Sequence, residues 1–396
     1  MFLRIKTILI ALLLCSTHTP AKAEEARQWV DHEGRSLVAT LVSTGTHTVD
    51  LRRSDGSIVS VPINQLNEES RAYIEDWRAR NPQAALDLPI NPWPKTVSAN
   101  SNGKIIARDH DPAAQSFSYR SKHFNLVSNI ELPEKTAEDI ATVFEATLAV
   151  LQQAPLGITV PPPSTHYRVE LYDTQENYQR AGGTKGSGGQ YHPGRNIMLL
   201  ALDNLGIKND GDELKLEHQN NAFVLKHEVT HQILNDYAAN IPVWLSEGLA
   251  EYIAAAPYSD GNYRFHRMTE NIFKYVNKWR FNEDHRQIPV VPLENLMQMS
   301  FSQWRMAIAG ENPYTNYNSA ALLAHHFLNN TPPNTPSPIA RYLAALQKIH
   351  HPDPRTRRSK ALALQNEILL QGRSYQQIQA DMAQDWQKYQ TSLVFE

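Results

Sequence analysis

Five residues near the middle of the chain have the types and spacing needed to work on a metal ion: His227-Glu228-Val229-Thr230-His231. On an α-helix, residues four apart sit one turn along the axis and about 40° apart around it. Both imidazoles then face one way and can share one zinc ion, with Glu228 beside them to take a proton from water. A second group, Trp244-Leu245-Ser246-Glu247-Gly248-Leu249-Ala250-Glu251-Tyr252, follows Pro242. Catalytic zinc takes three protein ligands and keeps one position open. Glu247 is the natural third ligand. Glu251 lies one turn further on the same face, where it can accept a hydrogen bond from the far nitrogen of a zinc-bound histidine, with His227 the expected partner.

These residues require two helices packed across each other. Ala222 to Tyr237 contains no Pro or Gly, and Asn220 or Asn221 can cap its start. Ala222, Leu225, Val229 and Ile233 form an apolar stripe along it. The Trp244 to Tyr252 stretch reads as the second helix. Upstream the pattern is α/β. Phe117 to Val127 reads as a strand, Leu132 to Gln153 as a helix, Tyr167 to Tyr172 as a strand and Gln175 to Arg180 as a short helix. The glycine-rich loop Gly182 to Gly189 has no Gly-Lys-Ser or Gly-Lys-Thr close, so it is not a phosphate loop. Gln190-Tyr191 and Asn196 to Leu200 suggest a hairpin turning at Pro193-Gly194. From Phe265 the chain reads as mostly helical.

Together, His227-Glu228-x-x-His231 and Trp244-Leu245-x-Glu247-Gly248-x-Ala250 resemble the gluzincins, the clan of thermolysin and aminopeptidase N. The resemblance covers about residues 116–396. It implies a thermolysin-like zincin domain with a mixed sheet, an active-site helix and a mostly helical C-terminal lobe, so that the whole chain is α+β. It also implies a Zn2+-dependent peptidase with ligands His227, His231 and Glu247, Glu228 as general base and Glu251 supporting a histidine. Fifteen residues separate His231 from Glu247, a shorter spacer than in those relatives, so the interhelix loop must be shorter. In aminopeptidase-type members a tyrosine just before a helix donates to the oxyanion. Asn312 to Ala320 precedes an expected helix over 320–329; Tyr317 matches best, with Tyr314 the alternative. The Gly-x-Met-Glu-Asn motif that holds a substrate amino terminus is absent. The Gly189 to Leu200 hairpin occupies the place where such enzymes offer an edge strand to a peptide, so an endopeptidase is expected. The rival readings are a non-catalytic binding protein on the same scaffold and a hydrolase acting on cell-wall peptide.

Other polar clusters read as structural. Arg108-Asp109-His110-Asp111 reads as a solvated loop, and His325-His326 and His350-His351 as exposed helix and loop histidines. Residues 24–77 look like a small β module: Trp29-Val30-Asp31, a turn at Glu33-Gly34, strands over 36–43 and 48–53, a hairpin turn at Asp55-Gly56, a strand over 57–62 and a short helix capped by Asn67. The Trp29-x-Asp31-x-x-Gly34-Arg35 opening, Leu51-Arg52-Arg53-x-Asp55-Gly56 and Val61-Pro62-x-x-x-Leu66 resemble the SH3-like first homology domain of an endocytic adaptor family. That implies a surface for a protein partner. The proline-rich stretch 78–115 reads as a linker.

The first 23 residues read as a cleavable signal peptide. Arg4 and Lys6 precede an apolar run over 8–14, and Ala21-Lys22-Ala23 offers the cleavage site. The expected location is secreted or periplasmic, with no stable membrane anchor after cleavage. The single cysteine, Cys15, lies in this segment, so the mature chain has no disulfide or thiolate ligand and any metal must use His and carboxylates. With 38 basic and 41 acidic residues the net charge is −3, which gives no sign of a nucleic-acid partner.

Overall fold

A computed structural model describes residues 26–44, 48–54, 58–80, 93–205, 207–210, 213–216, 222–237, 239–279, 287–310, 312–330, 336–349 and 351–396. The signal segment with Cys15, the Asp55-Gly56 turn, the caps at Asn220 and Asn221 and His350 lie outside them. The chain forms two compact units, Met1–Asp87 and Leu88–Glu396.

The first unit is an antiparallel four-stranded sheet, β1 (Arg27–Val30), β2 (Ser36–Thr44), β3 (Thr48–Arg52) and β4 (Ile58–Pro62), in that order, followed by α1 (Glu68–Arg80). The β1–β2 turn is tied by Asp31, whose Oδ1 accepts from the amides of Glu33 and Arg35 at 2.9 Å each. Gly34 takes φ +79° there, which only glycine adopts without strain. Asn67 caps α1 by accepting from the Ser70 amide at 2.9 Å. Trp29, Leu41, Val49, Leu51, Ile74 and Trp77 are buried together as its core.

The second unit opens with β5 (Val97–Ser98), which pairs with Asn262–Tyr263. Its main sheet is mixed and six-stranded: β6 (Ala107–Asp111), β7 (Ser116–Arg120), β8 (Phe124–Ser128), β9 (Tyr167–Tyr172), β10 (Gly189–His192) and β11 (Ile197–Ala201), in spatial order β10-β11-β9-β8-β7-β6. The centre, β8, β9 and β11, is parallel, and both margins are antiparallel. The parallel centre requires a crossover. α2 (Glu134–Gln153) supplies it, burying Ile140, Val143, Phe144, Leu148 and Leu151. β10 is an edge strand.

α3 (Gln175–Arg180) lies between β9 and β10, and from Ala222 the chain is mostly helical: α4 (Ala222–Ile233), α5 (Val243–Ala255), α6 (Met268–Lys274), α7 (Leu293–Gln298), α8 (Phe301–Ile308), α9 (Tyr314–Asn329), α10 (Pro338–Leu346), α11 (Pro354–Gln365) and α12 (Tyr375–Gln387). The predicted stripe of α4, Ala222, Leu225, Val229 and Ile233, is fully buried. α4 packs on α2, on α5 and beside β10, and α5 packs along α9.

Four expectations change. The strand over 117–127 is two strands: Ser121 to His123 form a turn, held by buried Glu145. Its carboxylate accepts from Ser121 Oγ at 2.9 Å and the His123 amide at 2.7 Å and meets His123 Nδ1 at 2.6 Å. Arg108 to Asp111 is not a loop but edge strand β6 together with Ala107; in the stretch read as a linker, 78–115, the described residues include the end of α1, β5 and β6, and Trp93 stacks on Phe265. The helix expected from residue 320 begins at Tyr314. His325 and His326 are not exposed; at 9% and 7% exposure they are buried. Burial pushes the His325 pKa down to about 4 and lowers that of His326.

Candidate metal centre

Helices α4 and α5 bring the predicted ligands together. His227 Nε2 and His231 Nε2 stand 3.1 Å apart. Glu247 Oε2, from α5, lies 3.4 Å from the first and 3.5 Å from the second. His227, His231 and Glu247 therefore form a cluster able to hold a metal ion. Among the described residues no other group of three or more His, Asp or Glu ligands converges this closely.

The outer nitrogens are also held. His227 Nδ1 sits 3.1 Å from Glu251 Oε1, the pairing expected from the one-turn offset. The other Glu251 oxygen accepts from the Tyr275 hydroxyl. His231 Nδ1 faces Ser246 Oγ at 3.4 Å. A histidine fixed at Nδ1 presents Nε2 to a ligand in one orientation.

The charges are coupled. Burial opposes a charge on His227, but Glu247, Glu251 and Glu228 outweigh it and raise its pKa well above the usual imidazole value. Burial likewise opposes ionisation of Glu247, yet His231 and His227 hold its carboxyl far below the ordinary range. The centre is thus built to hold Glu247 ionised with positive charge against it, which suits a cation.

Glu228 lines the cavity with the three ligands. The neighbouring edge strand comes so close that a Cβ on Gly189 would fall 2.9 Å from Glu228 Cγ. A side chain there would force Leu200 and Glu228 to shift.

The two tyrosines separate. Tyr314 is 46% exposed and, though described, is not part of the cavity wall. Tyr317 lines the cavity, with its ring 6.1 Å from that of His227 and 5.4 Å from Trp304. Burial, reinforced by Glu247, Glu251 and Glu228, raises its pKa, so its hydroxyl keeps its proton at neutral pH. Both tyrosines lie inside α9, not before it.

The cavity is open and about 790 Å3, bounded by β10, α4, α5, α8, Tyr317 and α11. Gln190, Tyr191 and His192 of the edge strand border it, as do Thr184 and Ser187 of the glycine-rich loop. Gln175 organises that loop, accepting from the Gly186 amide at 2.7 Å and donating to the Ser187 carbonyl at 3.1 Å.

Tyr275, Ser246 and Trp304 were not legible as site residues. Ser246 alone had a local signal, one position before Glu247; the others reach the centre from distant parts of the chain. Gly189 belongs to the expected edge hairpin, but its closeness to Glu228 was not legible. A scan against protein-family models and searches of curated proteins and of solved structures return no match to this chain.

Proposed function

We propose that the protein is a secreted or periplasmic zinc peptidase that cuts within peptide chains. The observation that carries this reading is the spacing of the three ligand atoms beside Glu228 at an open cavity. Atoms bound tetrahedrally at about 2.0–2.1 Å lie about 3.3 Å from one another. The separations here are 3.1, 3.4 and 3.5 Å. Two imidazole nitrogens and a carboxylate oxygen, with no thiolate, also fit zinc among the first-row ions.

His227, His231 and Glu247 would hold the ion. Zinc supplies Lewis acidity there, acidifying water and polarising a carbonyl. The chain's own residues do the rest. Glu228 takes a proton from the attacking water and returns it to the leaving amine. Tyr317 keeps its hydroxyl proton and donates to developing negative charge. Glu251, braced by Tyr275, fixes the His227 tautomer.

The edge strand supports a peptide substrate. Among the described strands β10 pairs with β11 alone, and it borders the cavity. An extended chain can add to such an edge through main-chain hydrogen bonds. In this reading the second unit is a thermolysin-like zincin domain, and the first is an SH3-like module for a protein partner. The secretory part rests on Arg4, Lys6, the apolar run and Ala21-Lys22-Ala23.

The test is a peptide library incubated with purified protein and read by mass spectrometry. Internal cuts that vanish with a chelator are expected. Single-residue trimming would overturn the endopeptidase reading. Cleavage confined to cell-wall peptides would assign the rival substrate, and no cleavage of any peptide would favour a binding protein.

A further inference from the structure

The cavity changes chemistry beyond the metal ligands. From His227 the path runs over Tyr317 to Trp304 on α8. Met299, Phe301 and Leu362 line the same cavity. Phe301 is 65% exposed there, a large apolar side chain open to whatever enters.

Two arginines accompany this apolar wall. Arg305 follows Phe301 by four residues on α8, so the two share a helix face. Arg358 comes from α11, and its Nη2 donates to the Gln298 carbonyl at 2.6 Å, just before α8 begins. Both line the cavity and both are exposed. Neither makes an ion pair with a described residue. The carboxylates that line the cavity, Glu228 and Glu247, belong to the metal end. A guanidinium is a planar fork of donors matched to a carboxylate. Two of them, without an acidic partner among the described residues and beside apolar surface in a concave site, have the chemistry to receive one.

We propose that this end of the cavity receives a carboxylate of the substrate, through Arg305 and Arg358, with Met299, Phe301 and Trp304 taking apolar side chains next to it. The selected class is then peptides that combine bulky apolar residues with an acidic side chain or a free C-terminal carboxyl. The inference rests on the peptidase reading for its ligand, but its test needs no turnover.

The zinc-loaded Glu228→Gln full chain is titrated with fluorescent peptides in matched pairs: C-terminal carboxyl against amide, and an internal Glu against Gln. In one pair the carboxylate form is expected to bind about tenfold tighter, or about 1.4 kcal/mol, and less so at high salt. The pair that discriminates identifies the source of the carboxylate. Adding Arg305→Gln and Arg358→Gln should bring that ratio to about one. Arg355→Gln, on α11 but outside the cavity wall, makes a comparable charge change and should leave the ratio standing. A ratio near one in both pairs, a ratio that survives loss of both arginines, or no peptide binding at all overturns the proposal. If the carboxylate ratio is found but the wild type cleaves nothing, the peptidase reading fails and the carboxylate site stands.

Discussion

Glu228→Gln should lower peptide hydrolysis by about 10²- to 10⁴-fold, the range typical of a lost general acid–base, while zinc content stays at the wild-type level. The amide is nearly isosteric with the carboxylate but cannot take the water proton. The substitution leaves His227, His231 and Glu247 in place, and these set the metal affinity. It also keeps the close packing against Gly189, where a Cβ would already fall 2.9 Å from Glu228 Cγ. Turnover and bound zinc are measured on the same sample. Wild-type-like turnover would remove Glu228 from the mechanism. Loss of zinc would mean that Glu228 supports the ion and not the proton transfer.

Gly248→Val should cost at least the roughly 1–3 kcal/mol of an overpacked core and weaken zinc binding with it. Gly248 lies where α5 meets α9. A Cβ there would sit 2.6 Å from the Ala320 carbonyl oxygen and 3.2 Å from Ala324 Cβ. The first obstacle is backbone, so α5 and α9 must separate. Glu247 is the adjacent residue, and its Oε2 must stay near both histidines. Denaturant unfolding and zinc affinity report the two effects. Unchanged stability would show that the α5–α9 packing is looser than described.

The grouping of His227, His231 and Glu247 was legible because it is local. His227 and His231, and separately Glu247 and Glu251, are related by one helical turn, and a helical period is readable from spacing alone. Even the Glu251 to His227 pairing followed from it. What was not legible depends on distant residues. Tyr314-Thr315-Asn316-Tyr317-Asn318-Ser319 is a weak helix former by propensity, yet it is helix. Ser319 Oγ donates to the Thr315 carbonyl and accepts from the Val291 amide, and Asn318 donates to the Val276 carbonyl. Tertiary partners override the propensity. The turn at Ser121 to His123 depends in the same way on Glu145, more than twenty positions away. His325 and His326 read as polar surface because nothing local shows that α9 is buried. The proposed carboxylate site draws on α8 and α11, which line one cavity, and spacing within neither segment reveals that.

The central claim is that one zinc ion, held by His227, His231 and Glu247, drives peptide hydrolysis. Titrating zinc into metal-stripped protein while following cleavage of a library-derived peptide tests it most directly. Activity should rise in proportion to bound zinc and stop at one ion per chain, and Glu247→Ala should abolish both. Cleavage that persists without metal, or full zinc occupancy with no cleavage, would contradict it.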